Sequence, residues 1–360
     1  MEQKKGAHNV VWHKLKRNKL AVAGLAVILL SCVLAVFAYF IAPDTSPNAN
    51  RMIPEIANKK PGFSSDFLLV KNPVAASEPG FFKRLLSGKP DDFVMVPVKG
   101  ISQSGDTVYA GKFIDVDVYE TIAIPVKDLA SPEVVHRKFY FGTDKFGRDI
   151  FSRLIVGTRV SLSVGLIAVI ISLTLGILLG ALAGYFRGRT DNIIMWFVNV
   201  VWSIPTLLLV FAITFILGKG FWQVFVAVGF TLWVSVARLV RGQVMAIRKL
   251  EYVEAGKVLG FSNFRIIVRH ILPNILGPIL VMAASNFASA IVIEAGLSFL
   301  GVGVQPPQPS WGLMIKENYN FIITNNPMLA LAPGIAIMIL VLAFNLLGNG
   351  LRDAFDVVNE

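Results

Sequence analysis

The side chains able to do chemistry are few, and one stretch gathers several of them: RGQVMAIRKLEYVEAGKVLGFSNFRIIVRHILPNILGPILV, from Arg241 to Val281. Glu251, Tyr252, Glu254 and His270 stand there among six Lys or Arg residues. The spacing is not that of a catalytic centre, which would need acid, base or nucleophile grouped around a reacting atom. The four histidines of the chain are mostly scattered, and Cys32 is its single cysteine, so an intrachain disulfide is excluded and a Cys-rich metal site is not expected. Gly256-Lys257 lacks the upstream glycine and the hydroxyl residue of a Gly-x4-Gly-Lys-Ser/Thr phosphate loop, so this chain is not expected to hydrolyse ATP. What the pattern offers is contact. Tyr252, Ala255 and Leu259 fall at i, i+3 and i+7 with Val258 beside them, which makes an apolar stripe on a short helix with a charged back. Gly260 is placed to end that helix in a left-handed cap, and Ser262 or Asn263 can start another that runs through Ile266 and Ile267 to Pro273. Two short helices joined at a glycine make a compact knob, suited to anionic headgroups or to a groove on a protein.

The elements that must carry this knob are membrane spans. Of 360 residues 54% are hydrophobic and 16% charged, against about a quarter charged in an average globular domain. No charged residue occurs in Leu20–Ala42, Val160–Phe186, Asn192–Gly218 or Gly220–Ala237, none between Arg269 and Glu294, and none between Glu317 and Arg352. A hydrocarbon core of about 30 Å takes roughly 20 apolar residues as a helix, so six spans are expected. The first is too long for the apolar core of a secretory leader and lacks a small-x-small cleavage site, so it reads as an uncleaved span. Lys and Arg set the orientation. Residues 1–19 carry six against one acid, 187–191 carries Arg187 and Arg189, and 241–272 carries six against Glu251 and Glu254. All three fall on one side if the spans alternate, which puts both termini in the cytoplasm. The segment 44–138 on the other side holds twelve basic and twelve acidic residues. The net charge of +11 is therefore divided among short membrane-flanking loops, which does not suit a nucleic-acid partner.

Seven prolines punctuate Pro43–Pro90, favouring extended or turn structure, whereas Asp91–Leu129 holds short β-branched and aromatic runs such as FIDVDVY with period two. A small β-rich insert of about ninety residues is expected, with a poorly ordered loop as the alternative. FGTDKFGRDIFSRL then suggests an interfacial turn around Gly142, Asp144, Gly147, Arg148 and Asp149 that feeds the second span. Gly176, Gly180 and Gly184, spaced by four, form a tight helix-packing face, and Pro205 should kink the third span.

Four stretches resemble one family, the second permease of bacterial dipeptide and oligopeptide ABC importers. The first is the loop pattern Glu-Ala-Ala, three residues, Gly, then a spacer to Leu-Pro. Glu254, Ala255, Gly260, Leu272 and Pro273 match it at that spacing, Gly256 replaces the second Ala, and His270 follows the RHILPN form of the peptide subfamily. FGTDKFGRDIFSRL, EAGLSFLGVGVQPPQPSWG and the ending NLLGNGLRD, with Asn349 in place of an Asp, resemble the same subfamily. The resemblance implies an all-α polytopic protein with six spans in the type I importer permease fold, located in the inner membrane. Its expected divisions are a basic N-terminus 1–19, a first span 20–42, an insert 43–138 longer than is usual, and a permease domain 139–360. Helices are expected near 160–184, 193–217, 221–240, 274–298 and 329–350, with a coupling loop at 241–272.

The implied partners are a homologous second permease, two ABC ATPase subunits that use ATP and Mg, an extracytoplasmic solute-binding protein and a peptide substrate. No cofactor or metal is expected on this chain. Glu251, Tyr252, Glu254, Ala255, Gly256, Leu259, Gly260, His270, Leu272 and Pro273 would form the ATPase-docking loop, with His270 bonding at a helix end and the 261–272 helix running into the fifth span. Glu294 is either a gate or pathway residue, alongside Pro205, or a partner for a base at the interface. Asp144, Arg148 and Trp311 either shape an outer docking loop or make a rigid turn with an interfacial anchor. Nickel or another small solute is the alternative cargo. A membrane-anchored signalling or scaffold protein is the alternative class, while a membrane enzyme would need ionisable groups that the spans lack.

Overall fold

A computed structural model describes residues 11–72, 79–115, 118–218, 220–323 and 326–356. The chain folds as two compact units, Met1–Cys32 with Ser161–Gln305 and Ala336–Glu360, and Val33–Val160 with Pro306–Ile335.

The first unit is helical. Its spans belong to α1 (Lys19–Val36), α2 (Ile150–Phe186), α3 (Gly188–Ser203), α4 (Thr206–Leu217), α5 (Phe221–Ile247), α7 (Leu276–Phe299) and α9 (Met328–Asp356), with the short α6 (Glu251–Val258) between α5 and α7. Five of these helices are long and apolar enough to cross a membrane, and the pair α3 and α4 makes a sixth only if counted as one broken span, bent by 96°. The interruption expected at Pro205 is present and is sharper than a kink: Pro205 stands between two separate helices. Its ring removes a hydrogen-bond donor and excludes a helical conformation from the residue before it. Helix α2 is 37 residues long and begins at Ile150, not near 160. At about 1.5 Å per residue it is about 55 Å long, so its first turns reach beyond the hydrocarbon.

The glycine stripe on α2 packs against α5 in register. A Cβ on Gly176, Gly180 or Gly184 would lie 2.8, 2.5 or 2.7 Å from the carbonyl oxygen of Trp233, Ala237 or Arg241, with Val236, Val240 and Val244 beside them. Below this seam one core joins Tyr185 of α2, Val240 and Val244 of α5, Val253 of α6, then Ile266, Ile271, Ile275 and Ile279. Helix α1 lies on α9, where a Cβ on Gly24 would meet the Ala343 carbonyl at 2.6 Å.

The second unit is built on an antiparallel five-stranded sheet of order β4-β3-β2-β1-β5, from β1 (Phe63–Lys71), β2 (Phe93–Ser104), β3 (Thr107–Asp115), β4 (Val118–Pro125) and β5 (Leu129–Phe139). Successive side chains point to opposite faces, and both faces carry a core. Phe67, Met95 and Phe139 pack with Ile53 and Ile56, while Leu68, Val98, Val108, Ala110 and Leu129 pack on the other side. The β-rich insert is therefore present, but its strands are not confined to 91–129. Strand β1 lies inside the proline-punctuated stretch read as extended or turn structure, and β5 runs on from Leu129 to Phe139. Helix α8 (Trp311–Asn318) completes the unit.

Candidate functional site

The knob after α5 forms at the expected residues, with a different face turned inward. Val253 is 1% exposed and Gly256 is buried, and they close the helix onto Phe261 and Ile266. Tyr252, Ala255 and Leu259 remain exposed, Leu259 at 71% and the neighbouring Val258 at 88%. Glu251 and Glu254 lie in the first turn, in solvent. The apolar stripe is thus displayed outward, and the chain's own core takes the next face round. Gly260 adopts φ +76°. Its N–H donates to the Lys257 carbonyl at 3.0 Å and the Phe261 N–H to the Gly256 carbonyl at 3.0 Å, the two closures of a Schellman end. A Cβ at Gly260 would meet open space, so the demand for glycine there is conformational. A Cβ on Gly256 would stand 3.4 Å from the Phe261 ring, ordinary contact, so the family's alanine would fit.

Ser262, not Asn263, caps the next helical turn, its hydroxyl accepting from the Arg265 N–H at 3.3 Å. Asn263 instead accepts from the Tyr185 hydroxyl at 2.8 Å, tying the knob to the end of α2. The expected continuous helix from 261 into the fifth span is corrected. A helical turn at Asn263–Ile266, a π turn at Ile267–Ile271 and a 3-10 turn at Leu272–Asn274 lead to Ile275, where φ −105° and ψ 9° break the path before α7. Pro273 cannot continue an i→i−4 ladder. Leu272 packs at the margin of the shared core. The His270 ring does not bond at a helix end: it stacks on Phe261 at 5.7 Å, and its Nε2 has no hydrogen-bond partner among the described residues. Asn274 fixes the turn, donating to the His270 carbonyl at 2.6 Å and to the Tyr252 hydroxyl at 3.0 Å. Desolvation raises the Tyr252 hydroxyl above its ordinary pKa, with the Asn274 hydrogen bond opposing it.

Pro205 lines a cavity of about 430 Å³ at the bend between α3 and α4. Thr231 and Ser235 of α5 and Asn286 and Ser289 of α7 supply its polar wall, and Trp202 an aromatic one. Glu294 is not in that wall. It is fully buried, accepts from the Ser298 hydroxyl at 2.7 Å, and that hydroxyl accepts from the Val304 N–H at 3.0 Å. The acid thus holds the turn after α7.

Asp144, Arg148 and Trp311, expected in an outer docking loop or an interfacial turn, are all buried. Arg148 Nε and Arg153 Nη1 lie 2.6 and 2.9 Å from Asp144 Oδ2, and the other ends of the two guanidinium groups lie 2.9 and 3.1 Å from Glu317 Oε2. Arg148 also donates to Asn50 Oδ1 at 3.1 Å. Two cations and two anions close a buried network, the form in which buried charge is tolerated. Trp311 is 3% exposed, donates to the Leu154 carbonyl at 3.0 Å and covers Gly157. Arg153 and Glu317 carry no local signal of this role in the sequence, although Glu317 is the last charge before Arg352 and needed a partner. Nearby, burial raises the Asp149 carboxyl above its ordinary pKa, while hydrogen bonds from the Ser152 hydroxyl and the Ser152 and Phe151 N–H groups oppose that shift.

The family model described as "Binding-protein-dependent transport system inner membrane component" matches residues 176–357. The chain belongs to this family. A second model, the N-terminal TM domain of oligopeptide transport permease C, matches residues 9–61. The glutathione transport system permease protein GsiD of Pectobacterium atrosepticum is 43% identical over 217 residues, 60% of this chain and 72% of that one. The dipeptide transport system permease protein DppC of Lactococcus lactis is 31% identical over 345 residues, 96% and 89% of the two chains. Among solved structures, an inward-facing form of the MetNI methionine ABC transporter aligns at 20% identity and TM-score 0.47, over 56% of this chain and 95% of that one.

As a member of this family the chain is a multi-pass permease subunit of an ABC importer, and the ATPase is a separate subunit. The region matched by the inner membrane component model contains the glycine stripe, the knob, the cavity wall and Trp311. The sheet lies between the two matched regions.

Proposed function

We propose that this permease imports di- or oligopeptides, and that the loop 241–272 is where an ATPase subunit grips it. Support for the cargo comes from the relatives, which are named for dipeptide, oligopeptide and glutathione transport. The cavity at Pro205 suits such a cargo: the hydroxyls and amide that line it can pair with peptide groups, and no ionisable side chain in its wall selects on charge. The observation that carries the docking role is the two-sided knob. One face puts Val253 in the core shared with α2, α5 and α7 and buries Gly256 beside Phe261 and Ile266, and the other presents Tyr252, Ala255 and Leu259 to solvent. Such a stripe fits helix-in-groove recognition, with Glu251 and Glu254 free to meet basic groups on the partner.

In this reading two ATPase subunits, using ATP and Mg, draw together and push the knob. Residues 1–19, the C-terminus and the knob are cytoplasmic, the insert 43–138 lies on the opposite side, where a solute-binding protein delivers cargo, and a homologous permease completes the pathway. Alternating access follows from rigid-body rocking of helices α5 and α7 around the cavity. The test is uptake of a labelled dipeptide by the assembled transporter carrying Glu254→Lys or Gly260→Val. Uptake is expected to fall to background while the variant chain stays in the membrane and loses co-purifying ATPase. Undiminished uptake in both variants would remove the docking role.

A further inference from the structure

The short helix Phe81–Ser87, FFKRLLS, hangs from the insert with its apolar side uncovered. At about 100° per residue, Phe81, Leu85, Phe82 and Leu86 occupy an arc of about 140°, and Lys83, Ser87 and Arg84 take the opposite side. Phe81, Phe82 and Leu86 are 61%, 77% and 66% exposed. In an aqueous domain this would be three large apolar side chains displayed together on two turns, an arrangement that marks an interaction surface.

Its position says what covers it. The helix is clamped to Ala38–Ile41, the short helix that directly follows the first span α1. The Phe40 and Phe81 rings are 5.7 Å apart, and the Arg84 guanidinium lies 4.9 Å from the Phe40 ring centroid. Arg159 donates to the Leu85 carbonyl at 2.9 Å, its guanidinium 5.0 Å from the Tyr39 ring centroid. Gly88, at φ +77°, ends the helix where a Cβ would come within 2.6 Å of the Thr45 carbonyl and 3.0 Å of Tyr39, so the close approach is built in. Phe40, which meets Phe81, and its chain neighbours Phe37 and Ile41 are themselves exposed, as lipid-facing residues are. The apolar arc of the helix therefore continues the exposed apolar surface of 37–41, immediately after the last turn of the span.

We infer that Phe81–Ser87 is an interfacial helix seated in the bilayer leaflet on the sheet's side, with Phe81, Phe82 and Leu86 among the acyl chains and Lys83 at the headgroups. Amphipathic helices bind membranes in this way, apolar face down and basic residues at the phosphates. Seating would anchor the insert at a second point beside the first span and fix the height of the sheet above the membrane. Such seating requires only that the first span cross the bilayer, and it is independent of cargo and of ATPase docking.

The test is depth measurement by spin labels in the full chain, assembled in lipid nanodiscs, with Cys32→Ala and a nitroxide at Phe82→Cys or at Leu86→Cys. Labels at Phe40→Cys and at the exposed Gln103→Cys serve as membrane and solvent references. Relaxation by oxygen is expected to dominate over relaxation by a nickel chelate at 82 and 86, as at 40 and opposite to 103. Dominance of the nickel chelate at 82 and 86 would place the helix in water and overturn the inference. Exclusion of both reagents would place it under protein and also overturn it. The unsubstituted chain provides a second measurement, mapping of an acyl-chain carbene photoprobe by mass spectrometry. Adducts on 81–86 together with 37–41 are expected, and adducts on 37–41 alone would refute the seating.

Discussion

Two substitutions on adjacent faces of one short helix should separate what the knob does for its own fold from what it does for a partner. Leu259 is 71% exposed and Val253 is 1% exposed. Complete burial of a leucine side chain is worth about 1.5–3 kcal/mol, so the surface that Leu259 still has to bury on docking is worth roughly 1–2 kcal/mol. Leu259→Ala should therefore weaken ATPase binding by roughly 5- to 30-fold, at about 1.4 kcal/mol per tenfold, while the chain alone unfolds at an unchanged temperature. Val253→Ala removes two buried methyl equivalents from the core that holds Ile266 and Ile271. Transfer and cavity costs together come to about 1–3 kcal/mol against the fold. The assay pairs thermal unfolding of the purified permease with titration of its ATPase partner in detergent. Two results would refute the division of faces: Leu259→Ala destabilising the chain as much as Val253→Ala does, or Leu259→Ala leaving ATPase affinity untouched.

Gly180→Val should force α2 off α5, because its Cβ would stand 2.5 Å from the Ala237 carbonyl and 2.9 Å from Val240; loss of the folded chain from the membrane fraction, with Gly242→Val as a tolerated control where a Cβ meets nothing, would show it. Asp144→Asn strips the charge from a carboxylate shared by two buried guanidinium groups, and breaking such a network costs about 3–5 kcal/mol, readable as a lower unfolding temperature. The carboxyl of Asp149 has its pKa raised by burial, so the folded chain holds that proton more tightly than the unfolded one. Its contribution to stability is full below the ordinary value of 3.8 and is lost as pH rises through the raised value. Asp149→Asn should abolish that loss, so the difference in unfolding temperature between variant and parent should change with pH inside this window and be flat above it.

The spans were legible because the membrane imposes a rule that a sequence cannot hide: charge is absent for about twenty residues at a time. That α2 packs closely on another helix was legible for a related reason, since small residues at a spacing of four let backbones approach, but that the partner is α5 was not. Strand β1 was not, because Ser64, Ser65 and Asp66 spoil its alternation and prolines bracket it, yet it is an interior strand, paired to β2 through Leu68 and Val96 and to β5 through Phe67 and Val135. Charged residues beside a membrane read as surface. Asp144, Arg148 and Arg153 are buried, with Glu317 nearly so, because they satisfy one another over separations of up to 169 residues, a pairing that no local pattern encodes. In the knob, periodicity revealed a stripe but not its neighbour: an eight-residue helix has room for two adjacent faces, and Val253 with Gly256 took the inner one.

The broken path at Pro273 changes how a push on the knob must travel. A continuous helix would carry force along its axis into α7, but here three kinds of turn intervene before Leu276. What remains continuous is packing. Ile266, Ile271, Ile275 and Ile279 share one core with Val240 and Val244 of α5 and Tyr185 of α2, and close-packed interiors transmit displacement because they have no slack to absorb it. The same α5 is packed on α2 along the glycine seam, so under the proposed docking role a displaced knob is expected to carry α2 and α5 together. Thr231 and Ser235 ride on α5 and Asn286 and Ser289 on α7, whereas Pro205 sits between α3 and α4 at the 96° bend. Under the proposed docking role, a change in the distance between these walls is the expected trace at the cavity of a push on the knob.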